Sequence, residues 1–84
     1  MNKRKLLEKL ERNQKNVRFQ DFVALVEAFG FREVRIKGSH HIYERSDIFD
    51  MVNIKNNKGQ AKPYQIKQFL GLVETCNLEL KDER

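Results

Sequence analysis

The residues best suited to chemistry lie together in residues 37–43, which read KGSHHIY. Gly38 allows the backbone to turn sharply or to approach a ligand closely, and Ser39 adds a hydroxyl group beside it. His40 follows at the mouth of a predicted strand, with an imidazole that titrates near neutral pH. Such a group beside cations could act on a phosphodiester, by taking the proton of a ribose 2′-hydroxyl or by protonating the leaving 5′-oxygen.

The two histidines of this run are not equivalent. Successive strand residues point to opposite faces of a sheet, so His40 and His41 are not expected to act on one phosphate. The same alternation puts His40 on the side of Ile42, which we expect to face the core. A functional His40 should therefore lie at the end of the sheet, where the helices no longer cover it, or a bulge at residues 38–39 should turn its side chain away from the core. Taken alone, a strand histidine is more often a structural or binding residue than a catalytic one.

The elements that position this run follow from the spacing of the apolar residues. Leucines at 6, 7 and 10 predict a short helix over residues 2–12, and residues 19–29 repeat apolar side chains at helical spacing before Gly30, a typical helix stop. A period of two over residues 31–37, 40–44 and 51–54 predicts three strands, separated by residues 38–39 and by a polar turn at 46–50. Pro63 then begins a closing helix whose apolar face ends at Val73.

These elements predict an α+β fold, in which a short leading helix precedes the order α-β-β-β-α. We expect a three-stranded antiparallel sheet covered by helices on one face and open to water on the other. The chain is interpreted as one domain over residues 1–84, with its core at about 17–76, a leading helix at 1–13 and a polar tail at 77–84. Leu78 and Leu80 are predicted to pack back from the tail. Arg35 and Lys37 alternate with Val34 and Ile36 and are therefore predicted on the open face.

The composition favours a polyanionic partner. The net charge is +5 and the sequence pI is about 9.6, a balance that points first to nucleic acid and second to solubility alone. Cys76 is the single cysteine, which excludes an internal disulfide and is consistent with a reducing compartment. There is no apolar run of membrane-spanning length and the start is charged, so a cytoplasmic location and no membrane association are expected. Neither His40, His41 nor Cys76 has chelating spacing, so no metal and no other cofactor is predicted.

Further candidate residues lie at the start of the closing helix. Tyr64 could stack on a base or bind a phosphate there, or it could pack against the sheet edge. Lys62 flanks the same position, and Arg35 and Lys37 are candidates for phosphate contacts. Tyr43 is predicted to be a core residue.

The chain resembles the HicA family of type II toxin–antitoxin toxins over about residues 5–79. The matching pieces are residues 29–31 (FGF) at the end of a helix, residues 35–43 (RIKGSHHIY) and the closing helix after the third strand. A Gly-Ser-His triplet directly after a basic strand, preceded by Gly-Phe at this spacing, is fairly specific. Residues 61–65 (AKPYQ) are similar to a longer branch of the family that carries an extra leading helix.

The resemblance implies a fold like that of double-stranded-RNA-binding domains and cleavage of messenger RNA, with the triplet histidine, here His40, as the catalytic residue. It also implies a HicB-like antitoxin that covers the site. On this basis we predict a metal-independent endoribonuclease (an mRNA interferase) in which His40 acts as general acid or base. The predicted RNA contacts are Arg35, Lys37, Gly38, Ser39, Lys62 and Tyr64.

The sequence leaves alternatives open. The second proton-transfer group could be Lys62, Tyr64 or solvent. The chain could also be a binding module of the same fold that holds RNA without cutting it, which would make Arg35 and Lys37 important and His40 dispensable. A third alternative is a protein-interaction domain whose basic face meets an acidic partner, with no salt-sensitive RNA binding.

Overall fold

The computed structural model describes residues 2–80, so Met1 and residues 81–84 of the predicted polar tail lie outside the described residues. The elements are α1 (Lys3–Arg12), α2 (Phe19–Ala28), β1 (Arg32–Lys37), β2 (His40–Glu44), β3 (Val52–Lys55) and α3 (Pro63–Thr75). The predicted α+β order, including the leading helix, is confirmed. The third strand begins one residue later than the alternation suggested.

The helix ends follow from their capping residues. The Asn2 side-chain oxygen accepts hydrogen bonds from the backbone N–H groups of Arg4 and Lys5, at 2.8 and 3.3 Å, and so caps α1. Gly30 stops α2 as predicted, because its φ of +95° is the left-handed conformation that glycine adopts without strain. Pro63 is the first residue of α3, where its missing N–H costs no hydrogen bond.

The core lies between the helices and one face of the sheet. Phe69 of α3 is at its centre, with edge-on ring contacts to Phe22, Phe29 and Phe31 at centroid distances of 5.8, 5.5 and 5.7 Å. All four rings are almost completely buried. Leu78 and Leu80 pack against the hydrophobic core that contains these rings, as predicted.

The sheet has the order β1-β2-β3, with β2 in the centre and both pairings antiparallel. Gly38 and Ser39 form the two-residue turn of the first hairpin, and Gly38 has a φ of +62°, the value that a type II′ turn requires at its first central position. The outer edge of β3 is joined to α3, because the buried Gln65 side chain accepts a hydrogen bond from the Lys55 N–H at 2.9 Å.

The first strand differs from the prediction. Val34 and Ile36, expected to be half-buried, are 51 % and 55 % exposed. The reason is that β1 is an edge strand that contributes no side chain to the core, and its register shifts by a bulge between Glu33 and Arg35. The bulge expected as one possibility at residues 38–39 is wrong, because these two residues form the tight turn between the paired Lys37 and His40.

Candidate functional site

The strand register decides which face of the sheet each histidine occupies. His41 is opposite the fully buried Ile54 and packs on Phe19 of α2, and Tyr43 is only 2 % exposed, so the odd-numbered residues of β2 face the helices. His40 and Ile42 consequently lie on the other face, which we call the open face. The prediction that Ile42 faces the core is wrong: although it is only 9 % exposed, it lies outside the core cluster and is paired with Arg35 and Asn53 on the open face. His40 is therefore not hidden by the helices.

His40 lies between two lysines on the open face. It is opposite Lys37 of β1 and Lys55 of β3, and paired residues of antiparallel strands place their side chains on the same face. Its ring is half-buried, and Nδ1 is 3.0 Å from the side-chain oxygen of Asn53. The imidazole is thus held by one neighbour and flanked by positive charge.

Other cations extend the basic character of the open face along β1. Arg35 is opposite Ile42, and Arg32 is opposite Glu44, the acidic residue at the far end of β2. The predicted placement of Arg35 and Lys37 on this face is confirmed by the register. The residues that the strands bring to the open face are Arg32, Arg35, Lys37, His40, Ile42, Glu44, Asn53 and Lys55.

His41 belongs to a separate cluster on the helix side. Its Nδ1 is 2.8 Å from a carboxylate oxygen of Glu33, and its ring centroid is 4.8 Å from that of Phe19. The Tyr43 hydroxyl donates to the same carboxylate at 3.4 Å. Burial first, and then the negative charges of Glu33 and Glu27, raise the pKa of Tyr43 to about 12. Tyr43 is a core residue, as predicted.

The turn and the start of α3 hold the other predicted contact residues. Gly38 and Ser39 are exposed, and a Cβ at Gly38 would meet no atom within 4 Å, so the turn leaves room for a ligand. Tyr64 is 55 % exposed, so much of its side chain is accessible to a ligand. Lys62 precedes α3 as its N-cap. The Gln65–Lys55 hydrogen bond brings this end of α3 to the part of β3 that is opposite His40.

Sequence reasoning missed Asn53 and Lys55 as neighbours of His40. The alternation of β3 contained the signal, because Ile54 between them is a core residue and both must face the other way. The partnership of Glu33 with His41 had no such signal, since it depends on the bulge that follows Glu33.

Metal-binding clusters and membrane spans are both absent from the described part of the chain. Within residues 2–80, no three His, Cys, Asp or Glu side chains come together as a possible metal site. Over the same residues, no helix combines the length and the apolar character needed to span a bilayer.

Fold and site define a small basic α+β domain that presents a histidine among cations on an uncovered sheet face. A family model described as the HicA toxin of bacterial toxin–antitoxin matches residues 19–74, from the start of α2 to the last turn of α3. The chain belongs to this family: it is a toxin of a toxin–antitoxin system, for which a cognate antitoxin is the partner. Searches of curated proteins and of solved structures give no match. The leading helix α1 precedes the matched segment.

Proposed function

We propose that this toxin is a metal-independent endoribonuclease that cleaves messenger RNA, with His40 as the catalytic residue. The observation that carries the proposal is the position of His40 on the open face, between Lys37 and Lys55. Histidine is the side chain most often used for proton transfer at neutral pH, and the flanking ammonium groups supply the charge that a reacting phosphate requires.

The proposed reaction needs little from the protein, because RNA carries its own nucleophile. His40 transfers a proton at the 2′-hydroxyl or at the leaving 5′-oxygen, while Lys37 and Lys55 stabilise the negative charge that develops on the phosphate. The expected products are a 2′,3′-cyclic phosphate and a 5′-hydroxyl. No residue of the site has to form a covalent intermediate.

The remaining candidate residues are assigned to RNA binding. Arg35 extends the line of cations from Lys37 along the open face of β1 and is assigned a phosphate contact. Gly38 and Ser39 form the exposed turn next to His40, where the backbone can approach the ligand closely. Lys62 and the exposed Tyr64 would bind the RNA at the start of α3, where the tyrosine ring is available for stacking on a base.

The antitoxin is proposed to be of the HicB type and to act by covering the open face. The charge of that face predicts an acidic or hydrogen-bond-accepting surface on the partner, since unlike charges favour association and like charges oppose it. Covering the open face would exclude RNA from His40 without any change inside the toxin.

The function is tested by incubating the purified protein with a long unstructured transcript in EDTA and analysing the new ends. A single-stranded DNA of the same sequence is the matched control, because it lacks the 2′-hydroxyl. We expect the RNA to be cut with 2′,3′-cyclic phosphate ends and the DNA to remain intact. Cleavage of the DNA, or loss of RNA cleavage in EDTA, would contradict the proposed chemistry. Salt-dependent binding without cleavage would leave an RNA-binding module.

A further inference from the structure

We propose that Asn53 is a positioning residue that fixes the tautomer of His40. Its side-chain oxygen holds the hydrogen of the imidazole on Nδ1, so that Nε2 carries the lone pair and serves as the proton acceptor on the open face. The catalytic consequence rests on the proposed ribonuclease function. The tautomer itself does not, and it can be measured without RNA.

The geometry that supports this role is set by the strands. Asn53 is opposite Ile42, which makes it the diagonal neighbour of His40 on the same face, and its Oδ1 is 3.0 Å from Nδ1. Hydrogen bonds at both sides of β3 maintain the register at this end: Lys55 N–H donates to Gln65, and Asn56 N–H donates to the Ser39 carbonyl at 2.9 Å. The acceptor is therefore presented by a fixed backbone.

The chemistry of the two side chains decides the tautomer. An amide oxygen only accepts hydrogen bonds, so the imidazole nitrogen that faces it must be the donor. A neutral imidazole carries one hydrogen, which leaves the lone pair on the other nitrogen, Nε2. A histidine side chain free in water prefers the opposite arrangement. Asn53 thus selects the form that would otherwise be the minor one.

This selection assigns the direction of the first proton transfer. Nε2 takes the proton of the 2′-hydroxyl, the 2′-oxygen forms a bond to phosphorus, and the bond from phosphorus to the 5′-oxygen breaks. The 5′-oxygen takes a proton from water, and the hydroxide left behind later takes the Nε2 proton and restores the neutral imidazole. The imidazolium that results still has a hydrogen on Nδ1, so the bond to Asn53 persists and the ring does not have to turn. The charged groups that face His40 from the neighbouring strands are Lys37 and Lys55, with Arg35 farther along β1.

The second histidine provides an internal comparison. His41 has its Nδ1 bonded to the Glu33 carboxylate, an acceptor as well, but its ring lies against Phe19 on the helix side. Both histidines are therefore expected to carry their hydrogen on Nδ1, each for its own partner. Removing Asn53 should change only His40, which makes the His41 resonances a control within the same molecule.

The tautomer is tested by nitrogen-15 NMR of the imidazole rings above their titration range. In the wild-type protein, His40 should show a protonated Nδ1 and an unprotonated Nε2. Asn53→Leu should move His40 towards the Nε2-protonated form and leave His41 unchanged, whereas Asn53→Asp, which keeps an acceptor, should retain the wild-type form. A wild-type His40 protonated on Nε2, or a tautomer unaffected by Asn53→Leu, overturns the proposal.

Kinetics separate this proposal from the ribonuclease function itself. Asn53→Leu should slow cleavage about tenfold or more, but by less than the complete loss of the acid–base group, which is worth roughly 10²- to 10⁴-fold. Asn53→Asp should restore activity and move the acidic limb of the pH–rate profile to higher pH, because a carboxylate stabilises the imidazolium. If His40→Ala abolishes cleavage but Asn53→Leu cuts at the wild-type rate, the positioning role is refuted and the function stands. If the tautomer result holds and no variant cuts RNA, the function fails and the tautomer assignment stands.

Discussion

His40 and His41 are consecutive residues, yet their imidazole rings make hydrogen bonds on opposite faces of the sheet. Nδ1 of His40 is 3.0 Å from Asn53 on the open face, and Nδ1 of His41 is 2.8 Å from Glu33 on the helix side. The alternation of the strand separates the two imidazoles into different environments. One belongs to the surface available to a ligand, and the other contributes to the packing of α2 on the sheet.

This separation predicts that alanine substitution destabilises the protein much more at His41 than at His40. His41→Ala removes the contact with Phe19 and the bond to Glu33, so the free energy of unfolding should fall by about 1–3 kcal/mol. His40→Ala removes one exposed hydrogen bond and should stay within about 0.5 kcal/mol of the wild type. Urea unfolding of the two variants checks this expectation, and equal losses of stability would contradict the assignment of the faces.

Reversing the charge of Lys37 should weaken RNA binding. Lys37 is next to His40 on the open face, whereas Lys9 lies on α1, so Lys9→Glu is a control with the same change in net charge. We expect Lys37→Glu to reduce RNA affinity by about five- to tenfold near 0.1 M salt and to lower the slope of log affinity against log salt by about 0.7 for each phosphate that the variant no longer binds. Binding titrations at several salt concentrations measure both effects. An equal weakening by the two variants would show that only net charge matters.

The Tyr43 phenol should ionise far later than an ordinary tyrosine. Its pKa is raised to about 12, first by burial and then by the charges of Glu33 and Glu27. Because the folded state holds this proton more tightly than the unfolded chain, the contribution to stability is complete below about pH 10 and is lost as the pH rises towards 12. Tyr64→Phe leaves Tyr43 as the single tyrosine for an absorbance titration.

In that variant, tyrosinate should form near pH 12, with circular dichroism recorded in parallel to detect unfolding. Adding Glu33→Gln should move the titration to lower pH, because it removes a negative charge beside the hydroxyl. A titration near pH 10, the ordinary value for tyrosine, in a protein that is still folded would refute the environment described for Tyr43.

The buried Gln65 should be a stabilising residue even though it is polar. Its Oε1 accepts the Lys55 N–H, and Gln65→Ala would leave that backbone group without this partner at the edge of β3. We expect a loss of about 1–3 kcal/mol in the free energy of unfolding. Gln68→Ala, at an exposed position of the same helix, should cost less than about 0.5 kcal/mol. Denaturant unfolding of both variants gives the comparison, and similar effects for the two would count against the bond.

The sequence predicted the order of elements well because the local signals were strong. Gly30 and Pro63 mark helix ends by backbone geometry, and the period of two located the strands to within one residue. Ile42 was predicted on the wrong face of β2. The reason is that each face of this strand carries one histidine and one large apolar or aromatic residue, so the pattern favours neither face as the buried one. The packing of His41 on Phe19 and the burial of Tyr43 resolve that ambiguity in the structure.

The candidate site was predictable as a run of residues but not as an arrangement. The alternation placed Lys37 on the open face, yet the strand order that puts Lys55 on the other side of His40 is a long-range property of the fold. The exposure of Val34 and Ile36 has the same origin, since nothing in their spacing distinguishes an edge strand from a central one.

The role of His40 is tested most directly by comparing RNA cleavage by the wild type and by His40→Ala in EDTA on one long unstructured transcript. The wild type should cut, and the variant should be slower by at least about 10²-fold, the lower end of the contribution of an acid–base group. Its RNA affinity should stay within about twofold, because the neighbouring cations that bind phosphate are unchanged. Equal cleavage by the two proteins, or salt-dependent binding by both with no cleavage by either, would contradict the assignment of His40 as the catalytic residue.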